Sequence, residues 1–159
     1  MGFKFGTKSL SKLEGVHPDL VEIMKLAVSK STIDFGISEG VRSKSRQALL
    51  VKSGASTTMN SKHIIQESTG FSHAVDMYTL VDGRACWELD TYALAGEAIV
   101  KSAKELGINN LSWGACWHIK DVAGCNMACS DMIQDYISTR SKQGRKIFMD
   151  APHWQLDIN

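Results

Sequence analysis

The stretch that most constrains how this chain can fold runs from Thr91 to Leu106. Leu94, Ala95, Ala98, Ile99, Ala103 and Leu106 recur at helical spacing and define one broad apolar face. Gly107 follows as the C-terminal stop, since glycine takes the left-handed conformation that ends a helix without a Cβ penalty. A helix with one apolar face has to bury it against another layer. The other segments supply that layer. His17-Pro18-Asp19 opens a second helix, with proline suited to the first helical position and Asp19 to the positive N-terminal end. Leu20, Ile23, Met24, Ala27 and Val28 then share its core-facing side. Ser45–Val51 reads as a helix closed by Gly54, and Ser130–Ser141 as another, carrying Met132, Ile133, Tyr136 and Ile137. Short strands are expected at Asp34–Ser38, His73–Leu80 and Leu111–Trp113, with the turn signal Asp82-Gly83 after the second. Residues 146–157 read as a turn plus a strand, residues 56–69 as a polar surface loop, and residues 1–17 as a lead-in segment. Loosely alternating helices and short strands predict an α+β fold, with a small, mostly antiparallel sheet flanked by helices.

Composition narrows the function classes. The 159 residues make about one domain, and 1–159 is read as a single unit. Eighteen Lys and Arg against 17 Asp and Glu leave a net charge of +1, with no block of like charges. That balance argues against an electrostatic nucleic-acid or membrane-surface binder. No apolar run reaches the ~18–20 residues of a membrane span. The start, Met1-Gly-Phe-Lys-Phe-Gly, lacks an apolar stretch, so no secretory signal peptide is expected. Cys86, Cys116, Cys125 and Cys129 then read as reduced thiols rather than a disulfide framework.

Three tracts concentrate chemically able side chains: Glu39-Gly-Val-Arg42, Ser61-Lys-His63 through His73-Ala-Val-Asp76, and Asp150-Ala-Pro-His153-Trp-Gln155. Two histidines and a carboxylate drawn from distant parts of a chain suit a catalytic zinc, which takes such ligands tetrahedrally and leaves a position open. Spacing alone is weak support for it. The order of the tracts is far more specific. Phe3-Lys-Phe-Gly, Gly15-Val-His-Pro-Asp, Asp34-Phe-x-Ile-x-Glu-Gly-x-Arg42, Ser61-Lys-His63, Ala74-Val-Asp76, Trp113-Gly-x-x-Trp117 and Asp150-x-Pro-His153-Trp-Gln together cover nearly the whole chain. In that order they resemble the phage L-alanyl-D-glutamate peptidases, endolysins of the VanY-like zinc D-Ala-D-Ala carboxypeptidase superfamily.

The resemblance implies a Hedgehog/DD-peptidase-like zinc peptidase fold and a set of roles. Its metal ligands fall on His63, Asp76 and His153, its general base on Asp150, and its carbonyl-polarising arginine on Arg42. Zinc is the implied cofactor and the stem peptide of peptidoglycan the implied partner, cut at the L-Ala–D-Glu bond by a monomer that does not insert into membranes. A family member without a signal peptide would accumulate in the host cytoplasm and reach the wall, in the periplasm, only with a holin. A D-Ala-D-Ala carboxypeptidase or dipeptidase, and an inactive wall-binding module of the same fold, are the alternatives.

The chain departs from the family pattern in its spacing. His63 and Asp76 stand thirteen positions apart, farther than in Ser-x-His-x-x-Gly-x-Ala-x-Asp, which points to an insertion near 64–72. His73 is the rival first ligand. On a strand, however, positions three apart face opposite sides, so His73 and Asp76 should diverge. A second insertion, near 118–148, is expected to carry a helix over the cleft. Cys116 reads as a small buried residue, and Cys125 and Cys129 as structural thiols. Trp154 and Leu156 should face the core, with His153, Gln155 and Asp157 on the opposite side. Arg46 and Gln47 are expected to hold the helix after the Arg42 turn, and two of Trp87, Trp113 and Trp117 to be core.

Overall fold

The strand Ala74–Val81 organises the sheet around it. The structure, a computed structural model, describes residues 2–159. In chain order its elements are α1 (Thr7–Lys12), α2 (Pro18–Lys30), β1 (Asp34–Glu39), α3 (Lys44–Lys52), β2 (Ile65–Gln66), β3 (Phe71–Ser72), β4 (Ala74–Val81), β5 (Arg84–Cys86), α4 (Leu89–Leu106), β6 (Leu111–Trp113), α5 (Cys129–Lys142) and β7 (His153–Leu156). A 3₁₀ turn covers Val122–Gly124. The main sheet runs β1-β4-β7-β6, every pair antiparallel, and β5 joins β4 beyond the end of β7. Asp82 and Gly83, both at positive φ, form the two-residue turn that returns β4 into β5. This is the α+β arrangement the periodicities predict.

Strand parity decides what β4 offers to each side. Val75, Met77 and Thr79 are buried in the core beneath α4, while Asp76, Tyr78 and Leu80 are only partly covered on the other side. β7 repeats the alternation, with Trp154 and Leu156 inward. Trp113 of β6 stacks on Trp154 with ring centroids 4.8 Å apart and planes 8° from parallel. Both indoles are fully buried, which makes them the largest apolar contribution under the site.

The buried face of α4 keeps Ala95, Ala98, Ile99 and Ala103 of the expected stripe and leaves its two leucines at the exposed edge. Leu94 is 50 % and Leu106 37 % exposed, whereas Tyr92, Ala95, Gly96, Ala98, Ile99, Val100, Ser102 and Ala103 are buried. Small residues face inward because α4 lies tightly against its neighbours. A Cβ on Gly96 would stand 3.2 Å from Cys129 Sγ and 3.3 Å from the Trp113 ring. The lead-in segment contains α1, whose Thr-Lys-Ser-Leu-Ser-Lys sequence has no apolar period to announce it. Ser9 Oγ of α1 accepts the Ile37 N–H at 3.0 Å and ties this helix to β1. Within the polar 56–72 stretch, β2 and β3 form a small ribbon pinned to the N-terminal segment by His17 N–H to Ser72 O (2.8 Å) and Ser72 N–H to Gly15 O (2.9 Å).

All four cysteines are unpaired, with Cys116 and Cys129 fully buried and Cys86 and Cys125 partly open. Burial, then the neighbouring Cys125, pushes the Cys116 thiol up to about 12. Burial and the adjacent Glu97 drive Cys129 up as well. Because the thiolate is the nucleophile, iodoacetamide should label only Cys86 and Cys125 in the native protein, and all four after unfolding. Peptide mapping by mass spectrometry reads this directly, and rapid native labelling of Cys116 would contradict its inert placement. Among the described residues, no helix is long and apolar enough to cross a membrane.

Candidate active site and metal centre

The site is assembled on the open face of the sheet from three chain segments. β4 and β7 pair with Asp76 directly opposite His153, so the two side chains emerge from one face as a cross-strand pair. His153 Nδ1 lies 3.0 Å from Asp76 Oδ1. The third member comes from the 61–63 loop: His63 Nε2 stands 3.2 Å from the same Asp76 oxygen. A pair of reciprocal hydrogen bonds holds this loop. His63 Nδ1–H donates to Gly40 O at 2.8 Å, and Arg42 N–H donates to His63 O at 2.9 Å.

Arg42 is clamped rather than free. Its Nε and Nη2 meet the two Glu39 carboxylate oxygens at 2.6 and 3.0 Å, and its Nη1 donates to Gln47 Oε1 at 2.7 Å. A β-bulge between Ile37 and Glu39 re-aims the end of β1 so that Glu39 reaches the arginine. The Glu39 hydrogen bond raises the arginine further and holds the glutamate below its ordinary range. Gln47 is fully buried and its amide also donates to Thr58 O and Ser56 Oγ. It therefore anchors Arg42 and the 56–58 loop, not the helix as expected. Arg46 sits in the first turn of α3, its N–H donating to the Ser43 Oγ cap at 3.1 Å, and lines the cleft.

Asp150 is set by a turn clasped from below. Its N–H donates to Gly114 O (2.9 Å), Gly114 N–H donates to His153 O (2.9 Å), and His153 N–H donates to Asp150 O (3.0 Å). The approach is so close that a Cβ on Gly114 would fall 2.1 Å from Asp150 O. Pro152 O accepts from Met77 N–H at 3.0 Å, locking the turn to β4. Gly114→Ala is expected to lose about 1–3 kcal/mol of stability through overpacking and to displace Asp150. Chemical denaturation and turnover measured on the same variant check both effects.

These groups share a cleft of about 590 Å³, walled by the 54–62 loop on one side and by Trp117 and Phe148 on the other. The Trp117 ring lies 5.4 Å from His153 and 6.3 Å from Phe148. Two of Trp87, Trp113 and Trp117 are expected in the core, and only Trp113 is fully buried there: Trp117 lines this cleft, and Trp87, in the link between β5 and α4, is 68 % exposed. Burial and the charge of Asp76 raise Asp150 above the ordinary aspartate range, although His153, His63 and Arg42 pull the other way. Burial also pushes Asp76 up, but the hydrogen bond from His153 and the close approach of His63 outweigh it and hold this carboxyl well below the ordinary range.

The donor set fits a metal. One ligand atom from each of His63, Asp76 and His153 lies within 4.8 Å of the others, and among the described residues no other group of three or more does so. His63 Nε2 is buried and makes no well-formed hydrogen bond, and with the ring proton on Nδ1 given to Gly40 O its lone pair faces the cluster. The 3.0 and 3.2 Å separations match the ~3.3 Å ligand–ligand edge of a tetrahedral site with bonds near 2.0–2.1 Å. His73 lies outside this cluster. It is fully buried, with Nε2 2.7 Å from Thr69 Oγ1 and its ring edge-on to His17 at 5.6 Å. His118 is engaged by Asp135 at 2.7 Å and forms no group with Cys125 and Cys129.

Residues 1–156 match the family model described as phage L-alanyl-D-glutamate peptidase. The chain belongs to the phage L-alanyl-D-glutamate peptidase family. It is 32 % identical over 122 residues to the L-alanyl-D-glutamate peptidase of Escherichia phage T5, an alignment spanning 74 % of this chain and 84 % of that protein. It is likewise 32 % identical to the L-Ala D-Glu endopeptidase ChiX of Serratia marcescens, whose crystal structure matches with a TM-score of 0.71 over 98 % of this chain and 90 % of the other. Membership in the peptidase family leaves three residues whose parts sequence reading missed. Glu39 and Gln47 hold Arg42, and Gln155 contacts His153. All three stood inside or beside the quoted motifs, but only the folded loops show what each one grips.

Proposed function

We propose that this family member is a zinc endopeptidase that hydrolyses the L-Ala–D-Glu bond of peptidoglycan stem peptides and serves as a phage endolysin. The observation that carries the reading is the convergence of His63, Asp76 and His153 beside Asp150 in one open cleft. These three residues would hold the ion. Zinc, when bound, supplies Lewis acidity toward the carbonyl and lowers the pKa of water toward ~7. Asp150 takes the proton of the attacking water and delivers it to the leaving amine, a transfer favoured by a carboxylate tuned upward toward neutrality. Arg42, held by Glu39 and Gln47, offers a fixed cation to the charge that develops on the carbonyl oxygen. His63, Asp76, His153, Asp150 and Arg42 thus form the proposed working set. Release to the wall by a holin and action as a monomer belong to the same reading.

The cleft wall also suits an acidic substrate. Arg46 and Lys62 line it, and among the described residues neither forms an ion pair. A glutamate whose amine is released keeps two carboxyl groups, only one of which can continue the peptide, so a free carboxylate accompanies the leaving group. Replacing both Arg46 and Lys62 with Ala should lower kcat/KM about tenfold or more, from roughly 1.5 kcal/mol per lost charged hydrogen bond. A substrate with that carboxyl amidated should lose little on the same replacement. Equal losses on both substrates would sink the assignment.

Mass spectrometry of purified peptidoglycan digested by the zinc-loaded protein tests the bond. The expected products are glycan strands ending in L-Ala and stem peptides with a new D-Glu amino terminus. Loss of terminal D-Ala alone would identify the carboxypeptidase alternative instead.

A further inference from the structure

His153 has two ring nitrogens, and something has to decide which one is bare toward the cluster. Nδ1 faces Asp76 Oδ1 at 3.0 Å, and Nε2 faces Gln155 Oε1 at 2.7 Å. The direction of the Gln155 amide is settled one step further along the strand. Gln155 Nε2 donates to Asp157 Oδ1 at 2.7 Å, and a carboxylate can only accept. The other Asp157 oxygen accepts the Ser112 hydroxyl from β6. Gln155 Oε1 is therefore the atom turned to the imidazole. It too can only accept, so His153 Nε2 carries a proton. Nδ1 faces the equally acceptor-only Asp76 Oδ1, and it is the Nδ1 proton, not the one held on Nε2 by Gln155, that a bound ion would displace.

The sheet makes this chain of bonds possible. His153, Gln155 and Asp157 alternate onto one face, and Ser112 is the cross-strand partner of Gln155. We infer that Gln155 is a positioning residue that fixes the His153 proton on Nε2, with Asp157 and Ser112 setting the polarity of its amide. The inference rests on the zinc reading above. Gln155 acts through His153 and needs no contact with the scissile bond. Outer partners of this kind change metal affinity about 10–100-fold when removed.

The test uses the zinc-loaded protein and two readouts besides turnover: zinc affinity by competition with a chromophoric chelator, and imidazole nitrogen NMR. The wild type should show the His153 proton on Nε2. Gln155→Met should weaken zinc binding about 10–100-fold with the unfolding midpoint of the metal-free protein unchanged. Gln155→Glu, which keeps the acceptor, should recover most of the affinity, and Asp157→Ala, which lets the amide turn over, should show a smaller loss. A proton on Nδ1 in the wild type, or Gln155→Met binding zinc as tightly as wild type, overturns the inference. If Gln155→Met does not fold, the wild-type spectrum still decides. A wild-type protein that takes up no zinc at all overturns the metal reading itself, a different result from equal affinities.

Discussion

Replacing Asp76 with Ala is expected to abolish metal binding and peptidoglycan hydrolysis together. Both histidines of the cluster approach one atom, Asp76 Oδ1, at 3.0 and 3.2 Å. The carboxylate is thus the common member of the set, and its removal leaves only two imidazoles. Catalytic zinc sites use three protein ligands, so the remaining pair should hold the ion too weakly to survive dialysis. The sheet should tolerate the change, because the residue lies on the open face while Val75 and Met77 make the core contacts of the same strand. Metal content by plasma mass spectrometry, with circular dichroism as the fold control, reads the outcome. A folded Asp76→Ala protein that retains zinc after dialysis would show that the ion, if any, sits elsewhere.

Asp150→Asn separates binding from chemistry. Asparagine keeps the size of the side chain, and the backbone bonds among Asp150, Gly114 and His153 do not involve it. The metal should stay bound with little change in affinity. What disappears is the acceptor for the proton of water, since an amide does not take up a proton near neutral pH. General acid–base contributions of this kind are worth about 10²–10⁴-fold, and that is the expected fall in kcat, with KM changing far less. A variant that turns over at wild-type rate would refute the role of Asp150 as base. A variant that loses metal as well would make it a structural member of the cluster.

Much of this site was legible because strand geometry and motif order agree. Parity predicts that His73 and Asp76 diverge, and the structure puts His73 in a separate pocket against Thr69 and His17. The same rule places His153, Gln155 and Asp157 on one face, which is where their hydrogen bonds run. Less was legible wherever the answer depends on a long return of the chain. The sequence places Gln47 with its own helix, because nothing local says that residues 56–58 fold back over it. Glu39 could be seen three residues before Arg42, but the bulge that brings the pair together is a property of β1 against β4. On α4 the period holds, but Leu94 and Leu106 stand outside and Gly96 inside, because hydrophobicity weighs Leu94 above Gly96 while close helix packing prefers the smaller residue. Segment α1 carries no apolar period, and its helix is stabilised by contact with β1 rather than by its own sequence.

The most direct test of a zinc-dependent peptidase is a titration. Protein stripped with a chelator and dialysed should be inactive on purified peptidoglycan. Added zinc should restore hydrolysis in proportion to the amount bound, saturating at one ion per chain, as the one cluster among the described residues implies. Full activity in the stripped protein, or activity that does not follow bound zinc, would contradict the account.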